Sequence, residues 1–123
     1  MALSVLQMIS IAEAISMGVE LGMESALLSN VMNKSSARCW ADDVGNPCPG
    51  VLPDAPSSRD YKRGFKMSLM LKDLKLAIEN AGTTVNADVE LAKHGLQYYD
   101  EIAKNGFSSE KDFGLVYQYV YQK

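Results

Sequence analysis

The 123-residue chain is long enough for one domain with a hydrophobic core and too short for two domains of ordinary size. Its 47% hydrophobic and 22% charged residues are typical of a globular protein and exclude a disordered one. The net charge of −3 argues against a general role on nucleic-acid phosphates or anionic membranes, so we expect neither as a partner.

Metal-binding residue types are too few and too scattered to predict a metal site. Cys39 and Cys48 form no C-x-x-C pair, and His94 is the single histidine. We therefore expect no metal. Two free thiols in a reducing compartment is the favoured interpretation of the cysteines, although their spacing alone leaves a disulfide open.

The first nineteen residues carry one charge, Glu13, and predict a long helix. Polar or small residues interrupt its apolar run: Gln7, Ser10, Glu13, Ser16 and Gly18. These interruptions, and the lack of a preceding basic residue, argue against a membrane span or a signal peptide. We expect a helix buried on nearly every side, within the domain or between subunits, and ended by Gly18 and Gly22.

A short second helix should end near Asn33 or Lys34, and one or two helical turns fit within SSARCWADD. All four prolines then fall in the stretch GNPCPGVLPDAP, which excludes both a helix interior and a strand. We predict a long ordered loop from about Val44 to Arg63, of a length that is usually functional or disordered. Four apolar residues in or before it favour order by packing: Trp40, Cys48, Val51 and Leu52.

Helical periodicity from Gly64 to Ala81 predicts a further helix, with Gly82 as its C-terminal cap. Seven apolar residues on one face account for its contact with the core: Met67, Met70, Leu71, Leu74, Ala77, Ile78 and Ala81.

The same helix has a second apolar side, where Phe65, Leu69 and Leu76 cluster around Lys72. Two apolar sides imply two neighbours, one of them outside the helical core. Lys72 therefore either directs its ammonium into a cleft or extends along Leu69 and Leu76 with its charge in water.

The rest of the chain predicts two more helices. Asn86 or Asp88 can cap the first, which Gly106 ends, and the Ser-x-x-Asp pattern from Ser109 to Asp112 resembles a capping box at the start of the last helix. No segment alternates with period two. We therefore predict an all-α fold, a bundle of five to six helices around the long apolar first helix, with no internal repeat.

Three stretches, in this order, resemble the C-terminal helical domain of the 3-hydroxyisobutyrate dehydrogenase family. They are Asn33-Lys-Ser-Ser-Ala-Arg-Cys-Trp40, Asn46-Pro-Cys-Pro-Gly-Val51, and Gly64-Phe65 with Leu69-Met-Leu-Lys-Asp-Leu-Lys-Leu-Ala77. The likeness extends over nearly all of the chain, from the Ala-Glu-Ala of residues 12–14 to Asp112 and Phe113. Ala37 stands where the family usually has glycine, a local departure within a turn.

The resemblance implies an oxidoreductase that uses NAD to convert 3-hydroxyisobutyrate to methylmalonate semialdehyde in valine breakdown. It implies that Lys72 and Asp73 bind the cofactor, that Phe65 lies near the substrate, and that the second apolar side of the helix faces an N-terminal Rossmann domain. It also implies a dimer or tetramer, in the mitochondrial matrix of a eukaryote or the bacterial cytoplasm.

The family's catalytic lysine belongs to a Lys-x-x-Asn signature upstream of residues 12–14, and no such motif occurs early in this chain. We therefore expect residues 1–123 to be one domain, without the Rossmann domain, without a catalytic residue and inactive alone. The alternatives are a domain of a related reductase acting on succinic or tartronate semialdehyde, and a non-catalytic helical dimerisation module.

Overall fold

The computed structural model describes residues 2–122, and within them every regular element is helical, which confirms the predicted all-α class. There are six α-helices: α1 (Ala2–Glu20), α2 (Ser25–Asn33), α3 (Trp40–Asp43), α4 (Met67–Thr83), α5 (Glu90–Lys104) and α6 (Val116–Gln122). Two short 3₁₀ turns, Pro56–Arg59 and Phe113–Leu115, lie in the connections.

Helix α1 is the centre of the bundle, and α2, α3, α5 and α6 pack against it. Its buried apolar face supplies much of the core: Val5, Met8, Ile11, Ala12 and Ile15. By length and composition α1 is the one helix within residues 2–122 that would be able to cross a membrane, a property that a core helix shares. Within this chain α1 is not buried on nearly every side, because Leu3, Glu13 and Met17 face solvent, whereas the alternative of burial between subunits stays a prediction.

The two glycines predicted to end α1 have different roles. Gly18 lies inside the helix, where a Cβ atom would overlap the side chain of Leu28 on α2. Gly18 therefore permits close packing of the two helices. Gly22 has a φ of +88°, and the turn closes through a bond from the Met23 N–H to the Gly18 carbonyl at 2.9 Å.

Helix α4 begins at Met67 rather than at Gly64, and it continues through Gly82 to Thr83. The later start has a clear cause, because Phe65 and Lys66 precede the helix and residues 65–67 pair with residues 111–113. The Met67 N–H donates to the Lys111 carbonyl at 2.8 Å.

The predicted caps of the last two helices are not the ones that the structure uses. Val89 occupies the N-cap of α5 without a side-chain bond, while Asp88 pairs instead with Lys93 at 3.5 Å. Asp112 caps the 3₁₀ turn before α6 by accepting the Gly114 N–H at 2.8 Å. Gly106, with a φ of +87°, follows the end of α5 as expected.

The proline-containing loop is ordered, as predicted, and buried polar groups hold it. The Asp42 carboxylate of α3 accepts bonds through Oδ1 from the Ser29 hydroxyl at 2.5 Å and from the Asn46 amide at 2.7 Å. Asn46 in turn accepts the Cys48 N–H at 2.9 Å, and its carbonyl accepts the Ser57 hydroxyl at 2.6 Å. These bonds join α2, α3 and both halves of the loop.

Asp42 is fully buried, and burial raises the pKa of its carboxyl above the ordinary 3.8. The hydrogen bonds from Ser29 and Asn46 oppose that shift, and the charge of Asp43 adds to it. Oδ2 of Asp42 accepts no hydrogen bond from any group within residues 2–122. The folded protein therefore carries a desolvated charge that is only half satisfied.

Asp42→Asn should become more stable relative to the wild type as the pH rises from about 4 to 7. A raised folded-state pKa gives stability that is present below the unfolded-state pKa and is lost as the pH passes through the folded-state pKa. Asparagine keeps the Oδ1 acceptor and does not titrate, so the variant does not lose this stability as the pH rises. Urea unfolding at several pH values measures the difference.

Asp42→Ala is the matched control, since it removes the acceptor of the short hydrogen bonds from Ser29 and Asn46. We expect it to be about 1–3 kcal/mol less stable than Asp42→Asn at every pH, because neither variant titrates at this position. Parallel pH profiles for the wild type and Asp42→Asn would contradict the role given to the buried charge.

Candidate active-site cleft wall

Four aromatic rings meet at one end of the bundle, with Phe113 at their centre. The Trp40 ring lies parallel to the Phe113 ring at a centroid distance of 6.5 Å, and the Phe65 ring meets it edge-on at 6.2 Å. The Tyr99 ring packs from below at 6.5 Å, and its hydroxyl donates to the Phe113 carbonyl at 2.8 Å. Such edge-on and parallel contacts add to the free energy gained by burial alone.

The exposed side of this cluster forms a concave pocket of about 460 Å³. Five residues line it: Ser4, Trp40, Phe65, Asp73 and Phe113. Trp40 and Phe65 remain 49% and 37% exposed, although an aromatic ring of this size would normally be covered. An apolar wall with one carboxylate and one hydroxyl is typical of a small-molecule site.

A second cavity of about 270 Å³ lies between the proline loop and α1 and shares Trp40, Phe65 and Phe113 with the first. Gly45, Gly64 and Asp112 also line it. The same three rings therefore separate the two spaces, so the shape of each pocket depends on where those rings are held.

Helix α4 presents the second apolar side to solvent. Leu69 and Leu76 are exposed large hydrophobic residues, whereas the core face is buried through Met67, Met70 and Leu74. The bundle therefore covers only one of the two predicted sides, and the other is available to a neighbour outside residues 2–122.

The structure brings two of the three predicted site residues together. Phe65 and Asp73 line the same pocket. Lys72 is exposed on α4, one residue before Asp73, and is not among the residues that line the pocket. Within residues 2–122 it makes no ion pair, whereas Lys75 pairs with Asp100 at 3.7 Å. Lys72 is thus a free cation beside the pocket.

Asp112 lies beneath the cluster and is only 7% exposed. Burial raises the pKa of its carboxyl, while the backbone N–H groups of Gly114 and Phe65 act in the opposite direction. The carboxylate accepts the Phe65 N–H at 2.7 Å, so a single side chain joins the chain before α4 to the chain before α6.

Three members of the pocket were not recognised from the sequence as site residues. Trp40 was expected to pack the loop, Phe113 was named only as the end of the family resemblance, and Ser4 had no assigned role. The available signal was the cluster of apolar residues on the second side of α4. It predicted an exposed face, but it did not indicate which distant residues would meet that face.

The comparisons with known proteins agree with the fold and with the motifs. A family model described as "NAD-binding of NADP-dependent 3-hydroxyisobutyrate dehydrogenase" matches residues 1–120. The chain is 40% identical, over 94% of its length, to the mitochondrial 3-hydroxyisobutyrate dehydrogenase of Homo sapiens. It is 39% identical, over the same share, to the probable mitochondrial enzyme of Dictyostelium discoideum.

Among solved structures, the 3-hydroxyisobutyrate dehydrogenase of Mycobacterium tuberculosis with L-serine matches 97% of the chain at a TM-score of 0.87 and 32% identity. The fold is that of a helical domain found in an oxidoreductase family. The chain belongs to the 3-hydroxyisobutyrate dehydrogenase family. It spans about a third of the length of the curated relatives it matches, 34% of the human and 35% of the Dictyostelium protein.

Gly45→Ala should displace the Trp40 ring, because a Cβ at position 45 would lie 2.7 Å from a ring carbon of Trp40. Trp40 is the only tryptophan, so its emission wavelength and its quenching by acrylamide report on this ring alone. We expect both to change while the far-ultraviolet circular dichroism stays helical.

Gly82→Ala is the matched control, since nothing lies within 4 Å of a Cβ there. It should raise stability by about 0.5–1 kcal/mol and leave the emission unchanged. An unaltered tryptophan signal in Gly45→Ala would contradict the close approach of Trp40 to the backbone.

Proposed function

We propose that residues 1–123 are the C-terminal helical domain of an NAD-dependent 3-hydroxyisobutyrate dehydrogenase and form one wall of its active-site cleft. The reaction is the oxidation of 3-hydroxyisobutyrate to methylmalonate semialdehyde in valine breakdown. The observation that carries the proposal is the exposed aromatic pocket, which is lined by Asp73 of the helix that also exposes Leu69, Lys72 and Leu76. We place the enzyme in the mitochondrial matrix of a eukaryote or in a bacterial cytoplasm.

The pocket fits a small branched hydroxy acid. Trp40, Phe65 and Phe113 offer apolar contacts for the methyl group and exclude water, which strengthens polar interactions within the cleft. The Asp73 carboxylate can accept one hydrogen bond from a substrate or cofactor hydroxyl or amide, which would fix its orientation. An apolar wall with few polar groups holds a ligand of this size in one pose.

The outer side of α4 fits a dinucleotide. NAD, when bound there, would supply the hydride acceptor for oxidation at the carbon that carries the substrate hydroxyl. Lys72, as a cation without a carboxylate partner in the described part of the chain, would attract the anionic groups of that cofactor. Leu69 and Leu76 would pack against a Rossmann domain and keep water from this contact.

The first turn of α1 connects this wall to the chemistry that the family assigns upstream. Ser4 lines the pocket, so the N-terminal end of α1 lies at its edge. In the family, the Lys-x-x-Asn signature precedes the Ala-Glu-Ala of residues 12–14 on the same long helix. We propose that in the intact enzyme this lysine exchanges the hydroxyl proton beside Phe65 and Asp73, and that residues 1–123 alone are inactive.

Lys72→Ala, made in an enzyme that carries this chain behind a nucleotide-binding domain, should weaken NAD binding by about 1–3 kcal/mol. Titration calorimetry with NAD measures the binding free energy, and a parallel titration with NADP shows which of the two cofactors binds more tightly. Lys104→Ala, which removes the same charge at the end of α5, is the control and should bind normally. Equal affinities in the two variants would remove Lys72 from the cofactor site.

Turnover by the same wild-type enzyme tests the substrate. Five compounds should be compared by kcat/KM: 3-hydroxyisobutyrate, L-serine, methylmalonate semialdehyde, succinic semialdehyde and tartronate semialdehyde. The proposal predicts preference for the first in oxidation and for methylmalonate semialdehyde in reduction. Preference for another semialdehyde would assign the domain to a related reductase.

A second exposed apolar surface lies where α1 turns into α2, and we propose it as the oligomer interface. It contains Met17, Leu21, Met23, Leu27 and Val31. Leu27 and Val31 are four residues apart and so share one side of α2. An apolar surface of this kind on a small domain normally marks a contact with another protein.

The isolated chain should therefore sediment as a dimer or larger species at tens of micromolar, and Leu27→Asp should shift it to a monomer. A charge placed in an apolar contact is desolvated without a partner, which opposes association. Val85→Asp, at an equally exposed site after α4, should leave the oligomer intact. A monomeric wild type would contradict this surface, and an NAD-independent dimer with no turnover in any enzyme context would favour the dimerisation module.

A further inference from the structure

Asp112 makes more structural connections than any cap of a single 3₁₀ turn requires. Its Oδ1 accepts the Gly114 N–H at 2.8 Å, and its Oδ2 accepts the Phe65 N–H at 2.7 Å. Its own N–H donates to the Tyr61 carbonyl at 2.8 Å. One residue therefore contacts the end of the proline loop, the entry to α4 and the entry to α6.

Both backbone groups that donate to the carboxylate are next to, or part of, pocket residues. Phe65 lines both cavities. Gly114 directly follows Phe113, whose ring packs against the rings of Trp40 and Phe65. A further bond, from the Phe113 N–H to the Phe65 carbonyl at 3.0 Å, closes the connection between the two segments. The carboxylate thus sets the separation of the backbones that hold the two rings.

The surrounding backbone leaves space for this carboxylate through two glycines. A Cβ at Gly64 would overlap the Asp112 side chain, and a Cβ at Gly114 would lie 2.8 Å from Oδ1. Gly64 does not have a positive φ, so glycine is required here to leave room for Asp112 and not for its backbone conformation. Gly64 and Gly114 therefore form a socket that admits a carboxylate close to two N–H groups.

We propose that Asp112 is a positioning residue of the cleft: by holding Phe65 and Phe113 through their backbones, it fixes the aromatic wall against which the substrate binds. Its role in substrate binding rests on the proposed function, whereas its control of the ring geometry does not. A carboxylate is needed because it accepts two N–H groups at once, whereas an amide of the same shape has only one acceptor oxygen.

Asp112→Asn tests the proposal without loss of volume. One of the two N–H groups will then face an amide nitrogen, so Phe65 or Phe113 will lose its fixed position. In the isolated chain, with circular dichroism verifying that the helices remain folded, we expect the acrylamide quenching constant of Trp40 to rise, because the Phe113 ring that stacks on Trp40 is no longer held in place. Gly64→Ala should give the same change, because it pushes the carboxylate away from Phe65.

Two further variants separate positioning from general stability. Ile102→Val removes one methylene from the core on α5, at a residue that lines neither cavity, and should lower stability without changing the quenching. The double variant Gly64→Ala/Asp112→Gly should change the Trp40 quenching by less than the sum of the two single variants. Without the Asp112 side chain, the new Cβ at position 64 has nothing to overlap. Wild-type quenching in Asp112→Asn, or an equal change in Ile102→Val, would overturn the proposal.

In the enzyme that carries this chain, Asp112→Asn should raise KM for 3-hydroxyisobutyrate about threefold to tenfold, with KM for NAD unchanged. An unchanged KM for the hydroxy acid with altered Trp40 quenching would leave Asp112 in control of the rings but remove it from substrate binding. If the wild-type enzyme turns over none of the tested acids, the proposed function fails, while the fluorescence result still decides whether Asp112 positions the rings.

Discussion

Helix α4 has apolar side chains on two sides, and the bundle covers only one of them. Met67, Met70 and Leu74 complete the core, so the remaining side has no partner within residues 2–122. Exposed apolar area is unfavourable in water, and a single domain of this size normally limits it. Leu69, Leu76 and Lys72 on that side are therefore exposed, and Lys72 directly precedes Asp73, which lines the aromatic pocket.

The wall can keep its shape without that neighbour because the loop behind it is tied by side chains. The chain between α3 and α4 has no regular structure except one 3₁₀ turn, so its backbone groups need other partners. Arg59 donates to the carbonyls of Asp54, Lys62 and Arg63 at 2.7–3.0 Å. Tyr61, fully buried in a left-handed conformation, donates its hydroxyl to Pro47 at 2.7 Å. Bonds of this kind prepare a rigid site before a ligand arrives.

Much of the fold was accessible from the sequence because periodicity and proline content are local signals. The period of α4 separated its two apolar sides, and the four prolines placed the loop. Helix ends were less accessible. The start of α4 depends on a pairing with residues 111–113. Gly18, which the sequence suggested as an end of α1, lies inside the helix because the space at this position is taken by Leu28 of α2.

The site was only partly accessible for the same reason. Phe65 and Asp73 could be proposed because they lie on or beside one helix with a recognisable motif, and both line one pocket in the structure, whereas their roles stay a prediction. Trp40, Phe113 and Ser4 come from three separate elements. Their meeting point is a product of tertiary packing, and nothing in the spacing of residues 4, 40 and 113 encodes it. Asp112, read as a capping residue, had a local role that concealed its long-range one.

Gly45, Gly64 and Gly114 are spaced through the chain, yet each faces a side chain of the cleft wall or its support. None of the three offers a functional group to a ligand. These glycines nevertheless determine the outline of the cavity, because a Cβ at any of the three positions would overlap a side chain of the wall or of its support. Exchanging one aromatic ring for another would change which ligands the cavity binds best. Adding a single methyl group at one of these three glycines would change which rings can line the cavity at all.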